Sequence, residues 1–175
     1  ALSRSSGDFV ECGVWRGFVS CAAMMFVNWN SNHGNRTFFL VDSFQGLSSE
    51  YVTEEEKKVG THLRYGKRYE NMLAVAKETM QPFENVQIIK GWVPDILKSI
   101  PTKEVAYLHL DLNSAIPEAE ALKFFWPKMT LGGVILFDDY SMHGYRPQKI
   151  ALDEAANSLG AKIASLPTGQ GLLIK

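Results

Sequence analysis

Gly7-Asp8-Phe9-Val10-Glu11-Cys12-Gly13-Val14-Trp15-Arg16-Gly17-Phe18-Val19-Ser20 reads as a short buried strand, a tight turn and the opening of a helix. Glycine at 13 and 17 permits positive φ or a close backbone approach to a ligand. A helix opening near Gly17 leaves unpaired N–H groups facing whatever polar group lies there. The turn is therefore a candidate ligand cradle. The next strand, Thr37-Phe38-Phe39-Leu40-Val41-Asp42, ends on a carboxylate about one βα unit downstream, where it can accept both hydroxyls of a ribose. A strand, glycines and a helix alone describe many α/β turns; the acid at 42 is what favours a nucleotide-type site.

The 175 residues, 46% of them hydrophobic, suit one domain over 1–175 with a sizeable core. The chain opens a few residues before its first strand and without methionine, which leaves room for residues upstream of Ala1. A formal charge of −1 with no basic block argues against nucleic-acid binding through phosphate neutralisation. Cys12 and Cys21 flank the turn with no metal-ligand spacing, and read as reduced, packed thiols. No apolar run approaches a membrane span, and the Ala1-Leu2-Ser3-Arg4 start lacks a signal-peptide core. A cytoplasmic protein without membrane contact is the expectation, with homo-oligomerisation left open.

Beyond the turn, apolar spacing predicts a helix from Phe18 to about Trp29, ended by a polar turn in which His33 is a solvated loop residue. Ser43 to about Tyr65 is a long polar connection, functional or mobile by its length. Its run Glu54-Glu55-Glu56-Lys57-Lys58 reads as a solvated helical face, or as part of a lid over a ligand. Tyr69 to about Met80 is helical. Val86–Gly91 is a third strand, after which Trp92 either flanks an adenine ring or covers the sheet edge, and Pro94 opens a short helix. Val105–Asp111 has the near-continuous apolar character of a central parallel strand. A helix from Pro117, a strand Val134–Asp138, a helix Pro147–Leu159 and a closing hairpin of Lys162–Leu166 with Gly171–Lys175 complete the chain.

Alternating strands and helices imply a three-layer α/β/α fold, a mostly parallel sheet with right-handed crossovers and one antiparallel strand at its end. Ligands of such sheets bind beyond the carboxyl ends of the strands, so Glu11, Asp42, Trp92, Asp111, Asp138 and Asp139 should face one crevice. Three carboxylates at two neighbouring strand ends repel one another unless neutralised. A hard cation, Mg²⁺ first, relieves the conflict; otherwise one aspartate caps a turn and another pairs with Arg146 or Lys149. His109, two residues before Asp111, reads as buried and structural, and His143 as a candidate general base in the loop after the acids. Tyr140 and Arg146 are candidate substrate contacts.

Five ordered motifs now carry a resemblance: Glu11-x-Gly13-Val14-Trp15-Arg16-Gly17, Val41-Asp42-Ser43-Phe44-Gln45-Gly46-Leu47, His109-Leu110-Asp111, Gly132 to Tyr140, and Leu166-Pro167-Thr168-Gly169-Gln170-Gly171. Together they resemble the macrocin O-methyltransferase family of class I S-adenosylmethionine-dependent enzymes, over nearly the whole chain. The resemblance implies a Rossmann-like seven-stranded sheet of order 3-2-1-4-5-7-6 with strand 7 antiparallel. It puts the methionine part of S-adenosyl-L-methionine near Glu11, Gly13, Gly17 and Ser20, its ribose on Asp42, and its adenine near Ser43, Phe44, Gly91 and Trp92. It gives Asp111, Asp138 and Asp139 to Mg²⁺ and leaves Asp111 or His143 as the base. Where relatives commonly carry a second aspartate followed by leucine and tyrosine, this chain has Asn113-Ser114-Ala115, so its acceptor pocket differs.

The expected activity is Mg²⁺-assisted methyl transfer to a hydroxyl of a small molecule, a sugar or natural product. Two other readings compete with it. A non-catalytic relative would bind cofactor or a partner protein without transfer. An NAD(P)-dependent oxidoreductase would share the fold and Asp42, but its Gly-x-Gly-x-x-Gly turn is not the Gly13-x-x-x-Gly17 found here.

Overall fold

Strands and helices alternate as the hydrophobic pattern predicts in the computed structural model, which describes residues 6–58, 60, 69 and 71–175. In chain order the elements are β1 (Asp8–Cys12), α1 (Phe18–Phe26), α2 (Trp29–Asn32), β2 (Phe38–Asp42), α3 (Glu54–Lys58), α4 (Met72–Met80), β3 (Val86–Lys90), β4 (Val105–Leu110), α5 (Ala115–Phe125), β5 (Met129–Phe137), α6 (Arg146–Ser158), β6 (Ala164–Ser165) and β7 (Gly171–Ile174). The seven strands form one sheet of order β3-β2-β1-β4-β5-β7-β6. Strands β1 to β5 pair in parallel, and β7 runs antiparallel to β5 and β6. Among the described residues no helix is long and apolar enough to cross a membrane, and Cys12 and Cys21 are free thiols.

Side chains alternate across each strand, so the sheet buries two separate cores. Val10, Val41, Leu108, Leu110, Ile135 and Phe137 pack on one face against Leu122 and Phe125 of α5 and Leu152 of α6. Phe9, Phe38 and Leu40 pack on the other against Met24, Trp29, Ala76 and Met80 of α1, α2 and α4. Each fully buried side chain of this size stabilises the fold by about 1.5–3 kcal/mol. The second face is the less complete one. Val134 and Leu136 of β5 are only half-buried and Ile174 of β7 is 57% exposed.

The differences from the sequence reading have local causes. The helix expected to run from Phe18 to about Trp29 breaks after Phe26, because Asn28 takes φ 52° and restarts the chain as α2. His33 is buried rather than solvated: its ring stacks on Trp29 with centroids 5.4 Å apart, and burial together with the neighbouring Arg36 charge lowers its pKa. Helix α4 starts at Met72, after Asn71 at φ 62°. The turn after β3 becomes a 3-10 helix only at Leu97–Ser99, beyond a cis Val93–Pro94 peptide, and helix α5 starts at Ala115, two residues before Pro117. Strand β5 starts at Met129, five residues earlier than expected, whereas β6 shrinks to two residues. The expected start at Ala1, residues 59 and 61–65 of the long connection and residue 70 of the expected helix lie outside the described residues.

Backbone hydrogen bonds run one residue past the strands and align their carboxyl ends. Gly13 N–H donates to the Val41 carbonyl, Asp111 N–H to Cys12, Asp138 N–H to Leu110 and Gly91 N–H to Asp42, all at 2.9–3.0 Å. Residues 13, 42, 91, 111 and 138 therefore lie side by side along one edge of the sheet.

Candidate active site

Sterics fix the turn after β1 first. Gly13 takes φ 93°, and a Cβ there would lie 1.8 Å from the Asp111 carbonyl oxygen, so only glycine lets β1 leave the sheet beside β4. Gly17, at φ 77°, is the residue before α1. Asp42 holds the turn between them. Its Oδ2 accepts the N–H groups of Val14 at 2.7 Å and Trp15 at 2.8 Å, and its Oδ1 accepts that of Phe44 at 2.7 Å. A carboxylate taking three backbone donors satisfies N–H groups that the tight turns on both strands leave without ladder partners.

Asp42 still lines a pocket, together with Gly13, Ser43, Gly91, Trp92 and Asp111. Trp92 is half-exposed there, its indole N–H donating to the Gly46 carbonyl at 3.2 Å. Gly46, Ser48 and Tyr51 from the long connection line the same pocket.

Other predicted residues stand behind the pocket rather than in its lining. Phe44, at φ 53°, buries its ring in the core with Met24 and Trp29, and contributes to the site through its backbone. Glu11 and Ser20 are buried, the Ser20 hydroxyl donating to Glu11 Oε2. Glu11 Oε1 meets His109 Nδ1 at 2.8 Å. Burial pushes the Glu11 pKa up; burial alone would push His109 down, but the hydrogen bond and charge of Glu11 outweigh it and leave the imidazole raised. His109 is thus a buried structural partner, as its position on the strand predicts.

The three aspartates do converge. Asp111, Asp138 and Asp139 each present a carboxylate oxygen, and all three oxygens lie within 4.8 Å of one another. Burial first, then the Asp138 charge, pushes Asp111 up to about 7. The same two causes push Asp139 up to about 6 against a hydrogen bond from Tyr145. Few donors relieve them: Asn113 Nδ2 reaches Asp111 Oδ1 at 2.8 Å and Gln170 Nε2 reaches Asp138 Oδ1 at 3.0 Å. Lys149 does not pair with this cluster; it pairs with Asp153 at 2.5 Å and touches the Tyr140 hydroxyl. The oxygen-only donor set and its spacing fit a hard cation, whose shell is about 4–5 Å across for Mg²⁺ or Ca²⁺. His143 is exposed on the following turn and lines a different groove with Tyr140, Met142, Arg146 and Lys149.

Two glutamates that the sequence reading passed over brace the turn between β4 and α5. Glu118 Oε1 accepts the N–H groups of Leu112 at 2.9 Å and Asn113 at 3.1 Å, stabilising Asn113 at φ 55°. Burial drives the Glu118 pKa well up despite hydrogen bonds from Gln148 and Leu112. Glu56, read as part of a solvated charge run, is only 3% exposed and accepts the Ala115 N–H at 2.7 Å. A signal for it was present: Thr53-Glu54-Glu55-Glu56 has the spacing of a capping box.

Comparison with known proteins gives the family and the fold. The family model described as Macrocin-O-methyltransferase (TylF) matches residues 3–164. Demethyldecarbamoylnovobiocin O-methyltransferase of Streptomyces niveus is 32% identical over 160 residues, covering 85% of this chain and 57% of the relative. Mycinamicin III 3''-O-methyltransferase of Micromonospora griseorubida is 25% identical over 164 residues, covering 85% and 63%. The chain thus spans little more than half the length of these relatives. The structure of the O-methyltransferase NovP superposes with a TM-score of 0.79 at 27% identity, over 98% of this chain and 72% of that one. Calicheamicin methyltransferase CalS11 shares the fold, with a TM-score of 0.78 at 20% identity over 99% and 73% of the two chains.

Proposed function

Because the chain belongs to the macrocin O-methyltransferase family, we propose that it methylates a hydroxyl of a small natural product, a sugar hydroxyl by preference, using S-adenosylmethionine and a divalent cation. One observation carries this reading. Asp111 lines the pocket of Gly13 and Asp42 and is also a member of the acidic cluster, so donor and acceptor sites meet at one side chain. Relatives named for a novobiocin precursor and for a mycinamicin 3''-hydroxyl support an acceptor of this class.

S-adenosylmethionine supplies an electrophilic methyl group, and Mg²⁺ supplies a Lewis acid that lowers the pKa of the acceptor hydroxyl. Asp42 would accept one ribose hydroxyl through the single Oδ1 lone pair that its three backbone donors leave free, and Ser43, Gly91 and Trp92 would flank the adenine. Glu11, Gly17, Ser20 and Phe44 hold the turn that carries Gly13. Asp111, Asp138 and Asp139 would hold the cation, which would supply the charge that draws in and acidifies an acceptor hydroxyl, and positioning by these residues would supply most of the rate. Burial and the Asp138 charge push Asp111 up to about 7, a shift that a cation at the cluster would oppose. His143 is exposed and lines a separate groove, so it serves as proton acceptor only for an acceptor substrate that extends into that groove.

The test is transfer of labelled methyl from S-adenosylmethionine to a panel of sugars, polyols and catechols, with Mg²⁺ or with chelator. Labelled product only with Mg²⁺ supports the reading. Binding of S-adenosylmethionine without transfer to any member of the panel favours the non-catalytic relative, and binding of NAD instead overturns the cofactor assignment.

A further inference from the structure

Helix α3 carries three consecutive glutamates, yet they have different surroundings: Glu54 and Glu55 are exposed while Glu56 is buried. Its two carboxylate oxygens are divided between two partners. Oε2 accepts the Thr53 N–H at 2.7 Å while Thr53 Oγ1 accepts the Glu56 N–H at 3.2 Å, a reciprocal cap on α3 itself. Oε1 accepts the Ala115 N–H at 2.7 Å, 59 residues along the chain and in the first turn of α5. Ser114, the residue before α5, makes no side-chain cap of its own; its hydroxyl donates to the Tyr51 carbonyl at 3.2 Å. Helix α5 is therefore capped by a carboxylate from another segment, where the positive end of its dipole favours negative charge.

The two segments so joined both line the pocket. Ser48 and Tyr51 belong to the connection after β2, Asn113 and Ser114 to the turn after β4. The other tie between them, from the Ser114 hydroxyl to the Tyr51 carbonyl, is a neutral bond at 3.2 Å, and the ties from Tyr51 to Asp95 and from Trp92 to Gly46 are exposed. Exposed polar ties contribute little, whereas a buried charge-assisted bond is strong and costly to break. We propose that Glu56 is a positioning residue that clamps residues 46–58 against the turn before α5, where both line the pocket, and so governs how fast a bound cofactor leaves. The rate statement rests on the reading that S-adenosylmethionine occupies this pocket; the clamp itself does not.

Wild type, Glu56→Ala, Glu56→Gln and the exposed control Glu55→Gln separate the two. Stopped-flow chase with S-adenosylhomocysteine is expected to show S-adenosylmethionine leaving Glu56→Ala roughly ten- to a hundredfold faster than wild type, the range set by one lost charged hydrogen bond. Glu56→Gln, whose single amide oxygen keeps one of the two N–H bonds, should be intermediate, and Glu55→Gln unchanged. The KM for cofactor should rise while kcat at saturating cofactor changes less than about threefold, the split that a positioning role predicts and a general loss of folded protein does not. In unliganded protein, hydrogen exchange should quicken in both 46–58 and 113–116 for Glu56→Gln, which also carries the test if Glu56→Ala does not fold. Wild-type dissociation from folded Glu56 variants, or unchanged exchange in both segments, overturns the proposal. If wild type binds no S-adenosylmethionine, the pocket's assignment fails and exchange alone decides the clamp.

Discussion

Asp42 and Asp111 end the two strands that flank β1, one on each side, and line the same pocket, yet they have opposite surroundings. Asp42 takes three backbone N–H groups from the turns it holds. Asp111 takes one side-chain amide and otherwise faces Asp138 and Asp139, and its pKa rises to about 7. A strand-end carboxylate with a full set of backbone donors builds the site's shape, while one left among other acids stores repulsion that a cation can relieve. The crevice thus has a half completed by its own backbone and a half whose carboxylates are left facing one another.

The largest expected effect lies in the second half. Asp138→Ala removes one member of the cluster and should lower Mg²⁺-dependent methyl transfer roughly a thousandfold, about 4 kcal/mol of barrier. A turnover assay checks it, and unchanged turnover breaks the division between the halves. Gly13→Ala tests the first half. The added methyl meets the Asp111 carbonyl at a φ of 93°, so denaturant unfolding should show a loss of about 3 kcal/mol or more. Asp42→Asn replaces one acceptor oxygen by an amide that cannot accept from the N–H groups it faces. Its expected cost is about 1–3 kcal/mol of stability and a roughly tenfold weaker cofactor affinity, measured by unfolding and by calorimetry.

Much of this was legible in the sequence, and the rest depends on contacts and turns that only the fold sets. Strand identity followed from apolar runs, and strand order from the five ordered motifs; both appear in the structure, including the antiparallel β7. The convergence of Asp111, Asp138 and Asp139 was legible because parallel strands bring their carboxyl ends to one edge. The Ala115 contact of Glu56 was hidden because it spans 59 residues, whereas Glu118 and His33 have partners close in sequence and were hidden because an irregular turn, at Asn113 and at Asn28, brings those partners to them. A glutamate between other charges has the pattern of a solvated face until Ala115 is brought beside it. Phe44, which the resemblance put near the adenine, takes φ 53° and has its ring in the core instead of the pocket lining.

A smaller effect sharpens the contrast through pH. Folding raises Asp111 from 3.8 to about 7 and Asp139 from 3.8 to about 6, so the folded chain binds more protons than the unfolded chain across that interval. The stability linked to these two groups is fully present below about pH 4 and is lost as pH rises through about 6 to 7. Saturating Mg²⁺ should oppose that loss, so the gain in melting temperature on adding Mg²⁺ should grow between about pH 5.5 and 8. A metal-induced gain that is flat across this range contradicts the cluster as the binding site.

The most direct test of the two contrasting halves is calorimetric titration of S-adenosylmethionine into wild type and Asp138→Ala, each in Mg²⁺ and in chelator. Near-equal cofactor affinity, within about threefold in all four titrations, is the predicted result, because the turn held by Asp42 is complete without Asp138 or a cation. Loss of cofactor binding on removing Asp138 or the metal would contradict it.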